Sequence, residues 1–196
     1  MNNTFKIIKL LIDEAFDIHG VDAISLVHDP AIERDFVHFH KEFITDFKEV
    51  QGEKRIVVGP LLIPNKMILR KNGEDYFYVY FDNATIAKTA ERFQMNSYQN
   101  NTTLEHDSEL KNITFIETWI KQDMVHDKSA LYGLDLPKGS WVVSMKIDND
   151  EIYEKAKKGE VKGFSIEGYF ADKYDLNTNL EEIETINKLK ELLKWI

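Results

Sequence analysis

The chain has 196 residues, 43% of them hydrophobic and 30% charged, enough for one compact domain with a real core and an appendage. Zero cysteines exclude a disulfide framework, thiolate-held zinc and thiol catalysis, and a net charge of −9 (25 basic against 34 acidic side chains) argues against nucleic acid as a partner. No apolar run approaches the roughly 18–20 residues that cross a bilayer and no secretory signal pattern is present, so a cytosolic protein with no membrane partner is expected.

In chain order, residues 5–12 lean towards a strand, and the apolar run 21–27 ends in a turn at Asp29-Pro30. Between 34 and 50, Phe36, Phe39, Phe43 and Phe47 recur at spacings of three and four, which suits a helix, with a strand open for the first half. A β-rich run over 55–63 is broken by Gly59-Pro60, and 75–81 is a dense aromatic strand. Lys71-Asn72-Gly73-Glu74 supplies the hairpin turn before it. Asn83 suits the cap of a helix carrying Ile86, Ala90, Phe93 and Ser97 on one face.

A polar loop over 99–103 leads into His106. Segments 113–120 and 141–147 read as strands, followed by a short Asp-capped helix that stops at Gly159 and a strand over 161–170. The last segment differs in kind. Thr178-Asn179-Leu180-Glu181 matches a capping box, and Leu180, Ile183, Ile186, Leu189, Leu193 and Ile196 then repeat every three or four residues. The expectation is a main domain over 1–175 and a separate amphipathic helix over 176–196, docked on its own domain or on a partner.

The residues most suggestive of chemistry lie in Gly163-Phe164-Ser165-Ile166-Glu167-Gly168. Strand alternation puts Ser165 and Glu167 on one face, with Phe164 and Ile166 on the other. A serine held this way becomes a nucleophile if a histidine reaches it, and His106-Asp107 supplies one. The spacing is not the Gly-x-Ser-x-Gly elbow of α/β-hydrolases, so that fold is set aside. Alternation also places Glu117 beside Phe115 and Trp119, either among apolar groups, where a carboxylate needs a partner such as a histidine N–H, or exposed on a solvent face with two surface aromatics. Glu167 and Asp107 are rival acids. A second chemistry, a metal site on His38, His40 and His106, lacks a supporting carboxylate cluster, and neither metal nor cofactor is expected.

Taken together, Val57-Val58-Gly59-Pro60-Leu61-Leu62-Ile63-Pro64, Leu104-Glu105-His106-Asp107, Ile116-Glu117-Thr118-Trp119-Ile120, Gly139-Ser140-Trp141-Val142-Val143 and Lys162-Gly163-Phe164-Ser165-Ile166-Glu167-Gly168 resemble the XkdF-type serine proteases of tailed phages. That group is similar to the prohead (capsid maturation) proteases and, more distantly, to herpesvirus assemblin. The stretch 23–33 resembles the start of these proteins, so the likeness runs from about residue 5 to 172.

The resemblance implies an α+β fold, a compact and mainly antiparallel β-barrel with flanking helices. It implies a serine endopeptidase with His106 and Ser165 in the catalytic roles and the family's acid on Glu117, although Thr118 stands where serine is usual. The implied substrates are scaffold and major capsid protein, and the protease itself, inside a procapsid in the host cytoplasm, with a homo-oligomer such as a dimer expected. The competing expectation is a catalytically inactive scaffold that keeps the protease fold.

Overall fold

The computed structural model describes residues 6–16, 19–31, 37–38, 54–72 and 75–172. Strands dominate, with few helices, and the fold is α+β. In chain order the strands are β1 (Lys6–Leu11), β2 (Gly20–Val27), β3 (Val37–His38), β4 (Ile56–Leu62), β5 (Ile68–Asn72) and β6 (Asp75–Tyr80). They continue with β7 (Thr102–Leu104), β8 (Ser108–Glu109), β9 (Ile113–Ile120), β10 (Trp141–Ile147), β11 (Gly163–Tyr169) and β12 (Ala171–Asp172). The helices are α1 (Asn83–Met95), α2 (Lys128–Leu131) and α3 (Asp150–Lys157).

Pairing produces three four-stranded sheets, ordered β12-β1-β6-β5, β3-β4-β10-β9 and β11-β2-β7-β8. Most pairs are antiparallel; β1 with β6 and β2 with β7 are parallel. Among the described residues the hydrogen-bonded neighbours form three sheets and no closed ring, so the pairing does not by itself establish the expected β-barrel. Among the same residues no helix is long and apolar enough to cross a membrane.

One core joins the sheets. Phe93 of α1 packs edge-on against Trp141 of β10 (ring centroids 5.5 Å apart) and Phe115 of β9 (5.9 Å), and Phe115 meets Phe164 of β11 at 6.2 Å. T-shaped pairs of this kind add about 0.5–1.5 kcal/mol each beyond their burial. Their consequence for the site is positional, because Phe164 fixes the strand that carries Ser165.

Local outcomes differ from the sequence reading in instructive ways. Asp82, not Asn83, caps α1, its carboxylate accepting the Thr85 N–H at 2.9 Å. Asn149 caps α3, while Gly159 ends the turn beyond it at φ 73°. Gly59-Pro60 does not break β4; Pro60, which has no N–H to donate, lies opposite Val142 where the register with β10 shifts. β5 and β6 pair antiparallel with Asn72 opposite Asp75, and residues 73 and 74 of the expected turn lie outside the described residues. The helix expected over 34–50 and the amphipathic segment 176–196 lie outside the described residues, except for β3.

Candidate active site

On β11, Phe164 is buried in the core, and Ser165 occupies the opposite face at 8% exposure. Antiparallel pairing sets Ser165 directly across from Ser25 of β2, and parallel pairing sets Ser25 level with Thr103 of β7. A row of three hydroxyl side chains therefore crosses the sheet, with directly opposed Cβ atoms about 4.5–5.5 Å apart. Ile24 and Leu26 fill the core on the other face of β2.

The histidine arrives on the hairpin between β7 and β8. Asp107 N–H donates to Leu104 C=O at 3.0 Å, and both central residues of this turn, Glu105 (φ 50°) and His106 (φ 62°), are left-handed. For non-glycine residues that conformation costs roughly 1–2 kcal/mol each, so the turn needs anchoring. Three hydrogen bonds to β2 and its exit supply it. Glu105 N–H donates to Leu26 C=O at 3.1 Å, His28 N–H donates to Glu105 Oε1 at 2.7 Å, and His106 N–H donates to Ser25 Oγ at 2.9 Å.

The anchored turn sets the imidazole over the sheet. Its Nδ1 lies 3.2 Å from Glu167 Oε1, with the histidine side chain 43% and the glutamate side chain 28% exposed. Thr103 Oγ1 donates to the same carboxylate oxygen. Glu167 stands opposite Ala23, whose small side chain leaves room for the carboxylate to lean across β2 towards β7. A ring with Nδ1 turned to a carboxylate has Nε2 left over as its basic nitrogen. Ser165 Oγ has no hydrogen-bond partner among the described residues, and contacts of this kind often tighten only when substrate binds.

His106, Ser165 and Glu167 thus gather on one face of the β11-β2-β7-β8 sheet. Glu117 does not join them. It lies on β9 in another sheet, with its side chain 45% exposed, in an ion pair with Lys128, and it accepts from Ser144 Oγ at 3.3 Å. The expected apolar surroundings rested on unbroken alternation from Phe115. That alternation fails because β10 pairs Met145 with Phe115 but Ser144 with Glu117, leaving Ile116 as the extra residue of a bulge. Thr118 accepts a hydrogen bond from Trp141 Nε1, a structural use of the hydroxyl. Asp107 is exposed and gives its backbone N–H to the turn.

For the metal alternative, the side chains of His38 and His40 lie outside the described residues. Among the described residues no group of three or more His, Asp or Glu side chains is placed to hold a metal.

Sequence reasoning overlooked Ser25, Thr103 and Glu105. A serine inside the apolar run Ala23-Ile24-Ser25-Leu26-Val27 was the one available hint, since a buried hydroxyl there needs a partner. Nothing local marks Glu105, because its left-handed backbone follows from the hydrogen bonds around it.

No significant match was found among curated proteins or among solved structures. The family profile described as "Putative phage serine protease XkdF" matches residues 42–175, which is more than half of the chain and includes all three of the clustered residues. The chain belongs to this family of phage serine proteases.

Proposed function

We propose that the protein is a serine endopeptidase of phage assembly, with Ser165 as nucleophile, His106 as general base and acid, and Glu167 as the orienting carboxylate. The observation that carries this reading is the 3.2 Å approach of His106 Nδ1 to Glu167, two residues along the strand from Ser165. His106 Nε2 takes the Ser165 proton as Oγ attacks the peptide carbonyl, and then gives that proton to the leaving amine. Glu167 keeps the ring proton on Nδ1 and stabilises the imidazolium that forms. Water, deprotonated by the same nitrogen, releases the acyl group.

The substrates proposed are scaffold and major capsid protein, together with the protease itself, cut within an assembling procapsid by a dimeric or larger enzyme. Family membership supports the protease chemistry, and the resemblance of the sequence motifs to capsid maturation proteases supports the prohead setting.

Two measurements test the reading. A fluorophosphonate probe is expected to label the wild-type chain and to spare Ser165→Ala. Mass spectrometry of co-expressed capsid and scaffold proteins should show discrete fragments that vanish in Ser165→Ala, with the variant's melting temperature unchanged. Cleavage at the same sites by Ser165→Ala would exclude the nucleophile, and intact masses with the wild type under assembly conditions would favour a scaffold role.

A further inference from the structure

Two donors carried by one hairpin converge on a single carboxylate oxygen. Thr103 lies on β7 and His106 in the turn between β7 and β8, whereas Glu167 comes from β11. Thr103 Oγ1 and His106 Nδ1 both face Glu167 Oε1. Because β2 lies between β11 and β7, the glutamate reaches towards a strand two spacings away, about 9.5 Å. Its other carboxylate oxygen takes no hydrogen bond from the described residues.

A glutamate side chain has several rotatable bonds, and holding it in one extended shape gives up rotamer freedom. This one is also 28% exposed, so water competes for its oxygens. With His106 as its sole donor the carboxylate is free to swing away from the ring. The Thr103 hydroxyl removes that freedom, and hydrogen bonds to an ionised acceptor are the stronger kind. The residue type is informative as well. A strand position is served as well by valine as by threonine, so the hydroxyl is what distinguishes the choice. The neighbouring Thr102 makes the contrast: it is buried and its Oγ1 has no partner among the described residues, whereas Thr103 gives its proton to Glu167.

We propose that Thr103 is a positioning residue of the reaction, its hydroxyl fixing the Glu167 carboxylate in the orientation that keeps the His106 proton on Nδ1 and leaves Nε2 as the base. The inference rests on the roles of Ser165, His106 and Glu167 proposed above. Thr103 acts through the acid alone. It ties that acid to the hairpin that carries the histidine, so one short element sets both partners of the pair.

Full-length wild type, Thr103→Val and Thr103→Ser are compared by two readouts. In peptide cleavage, Thr103→Val is expected to lower kcat about ten- to a hundredfold, the worth of a hydrogen bond to a charged group, with KM within about twofold. Its melting temperature should match wild type, and Thr103→Ser should recover kcat to within about threefold of wild type. The second readout needs no turnover. Nitrogen NMR of the neutral His106 ring, assigned with His106→Gln, is expected to show the Nδ1–H tautomer in wild type and Thr103→Ser, and at least about twice the Nε2–H share in Thr103→Val. An unchanged ring spectrum in Thr103→Val overturns the proposal, as does a loss of kcat that Thr103→Ser fails to recover. A wild-type chain that neither cleaves nor takes the fluorophosphonate probe sinks the serine chemistry instead, and the ring spectra still decide whether Thr103 positions the pair.

Discussion

Glu167 Oε1 takes a hydrogen bond from Thr103 and faces the ring nitrogen of His106, whereas Glu117 is committed to Lys128 and Ser144 in a different sheet. The exposed Glu117–Lys128 pair is of the kind that contributes little, about 0–1 kcal/mol. In the mechanism proposed above, removing the charge at 167 deprives the imidazolium of its counter-charge and leaves the ring tautomer unguided. Glu167→Gln is expected to lower kcat for peptide cleavage by roughly 10²- to 10⁴-fold with little change in KM, as replacing an orienting carboxylate does. Glu117→Gln should stay within about twofold of wild type. Steady-state kinetics on a capsid-derived peptide would decide, and the opposite ranking would return the role to Glu117. The residue types of this site were plain in the sequence, but the choice between two glutamates was not, because both sit on strands beside apolar neighbours and only the third dimension shows which one meets the ring.

Among the elements, β11 and β2 place the site, and a close backbone approach limits what they tolerate. The register of this pair shifts between Glu167 and Gly168. A Cβ at Gly168 would overlap the carbonyl oxygen of Gly20 and come within 2.8 Å of both Gly20 C and Val21 Cα. Those atoms are backbone and cannot swing aside. Gly168→Ala is therefore expected to destabilise the fold by about 3 kcal/mol or more, at the upper end of overpacking costs. It should also reduce activity, because the shifted strand carries Glu167. Urea denaturation of the variant beside wild type measures the first effect, and an unchanged midpoint would show that the pair separates more easily than the register implies.

Elements with regular burial were legible in sequence. β9 and β10 fall where alternation and β-branched content put them, since Ile113, Phe115, Val142, Val143 and Ile147 all face the core or its edges. The bulge at Ile116 and the continuity of β4 through Pro60 were not legible, because both depend on which strand lies alongside.

Across the whole molecule, stability carries a pH dependence through His19. This side chain is 6% exposed; its Nδ1 accepts the Asp13 N–H at 3.0 Å and its carbonyl accepts from Arg92 of α1 at 2.9 Å. Burial above all, with help from the Arg92 charge and against the pull of Asp13, holds its pKa below the ordinary histidine value. The unfolded chain then binds a proton that the folded one refuses, so stability rises with pH in this window. His19 contributes its full share above about pH 6.5, the unfolded value, and loses it as pH falls towards the lowered folded value. Denaturation midpoints taken from pH 7.5 to 5 are expected to decline more steeply for wild type than for His19→Gln. Equal slopes would mean that His19 protonates without cost in the folded state.

The sequence alone determined the chemical inventory and the interior: a cysteine-free acidic chain, the apolar strands of the core, one serine on a strand and a histidine in a polar turn. Local residue order was sufficient because hydrophobic alternation and turn chemistry act over a few residues. The tertiary structure decided the rest. It pairs β11 with β2 and β2 with β7, brings Glu167 within reach of Thr103, and bends residues 105 and 106 into a left-handed turn anchored on Ser25. These are contacts between segments far apart in the chain, and their energies depend on which backbone groups and side chains become neighbours, which no short window of sequence contains.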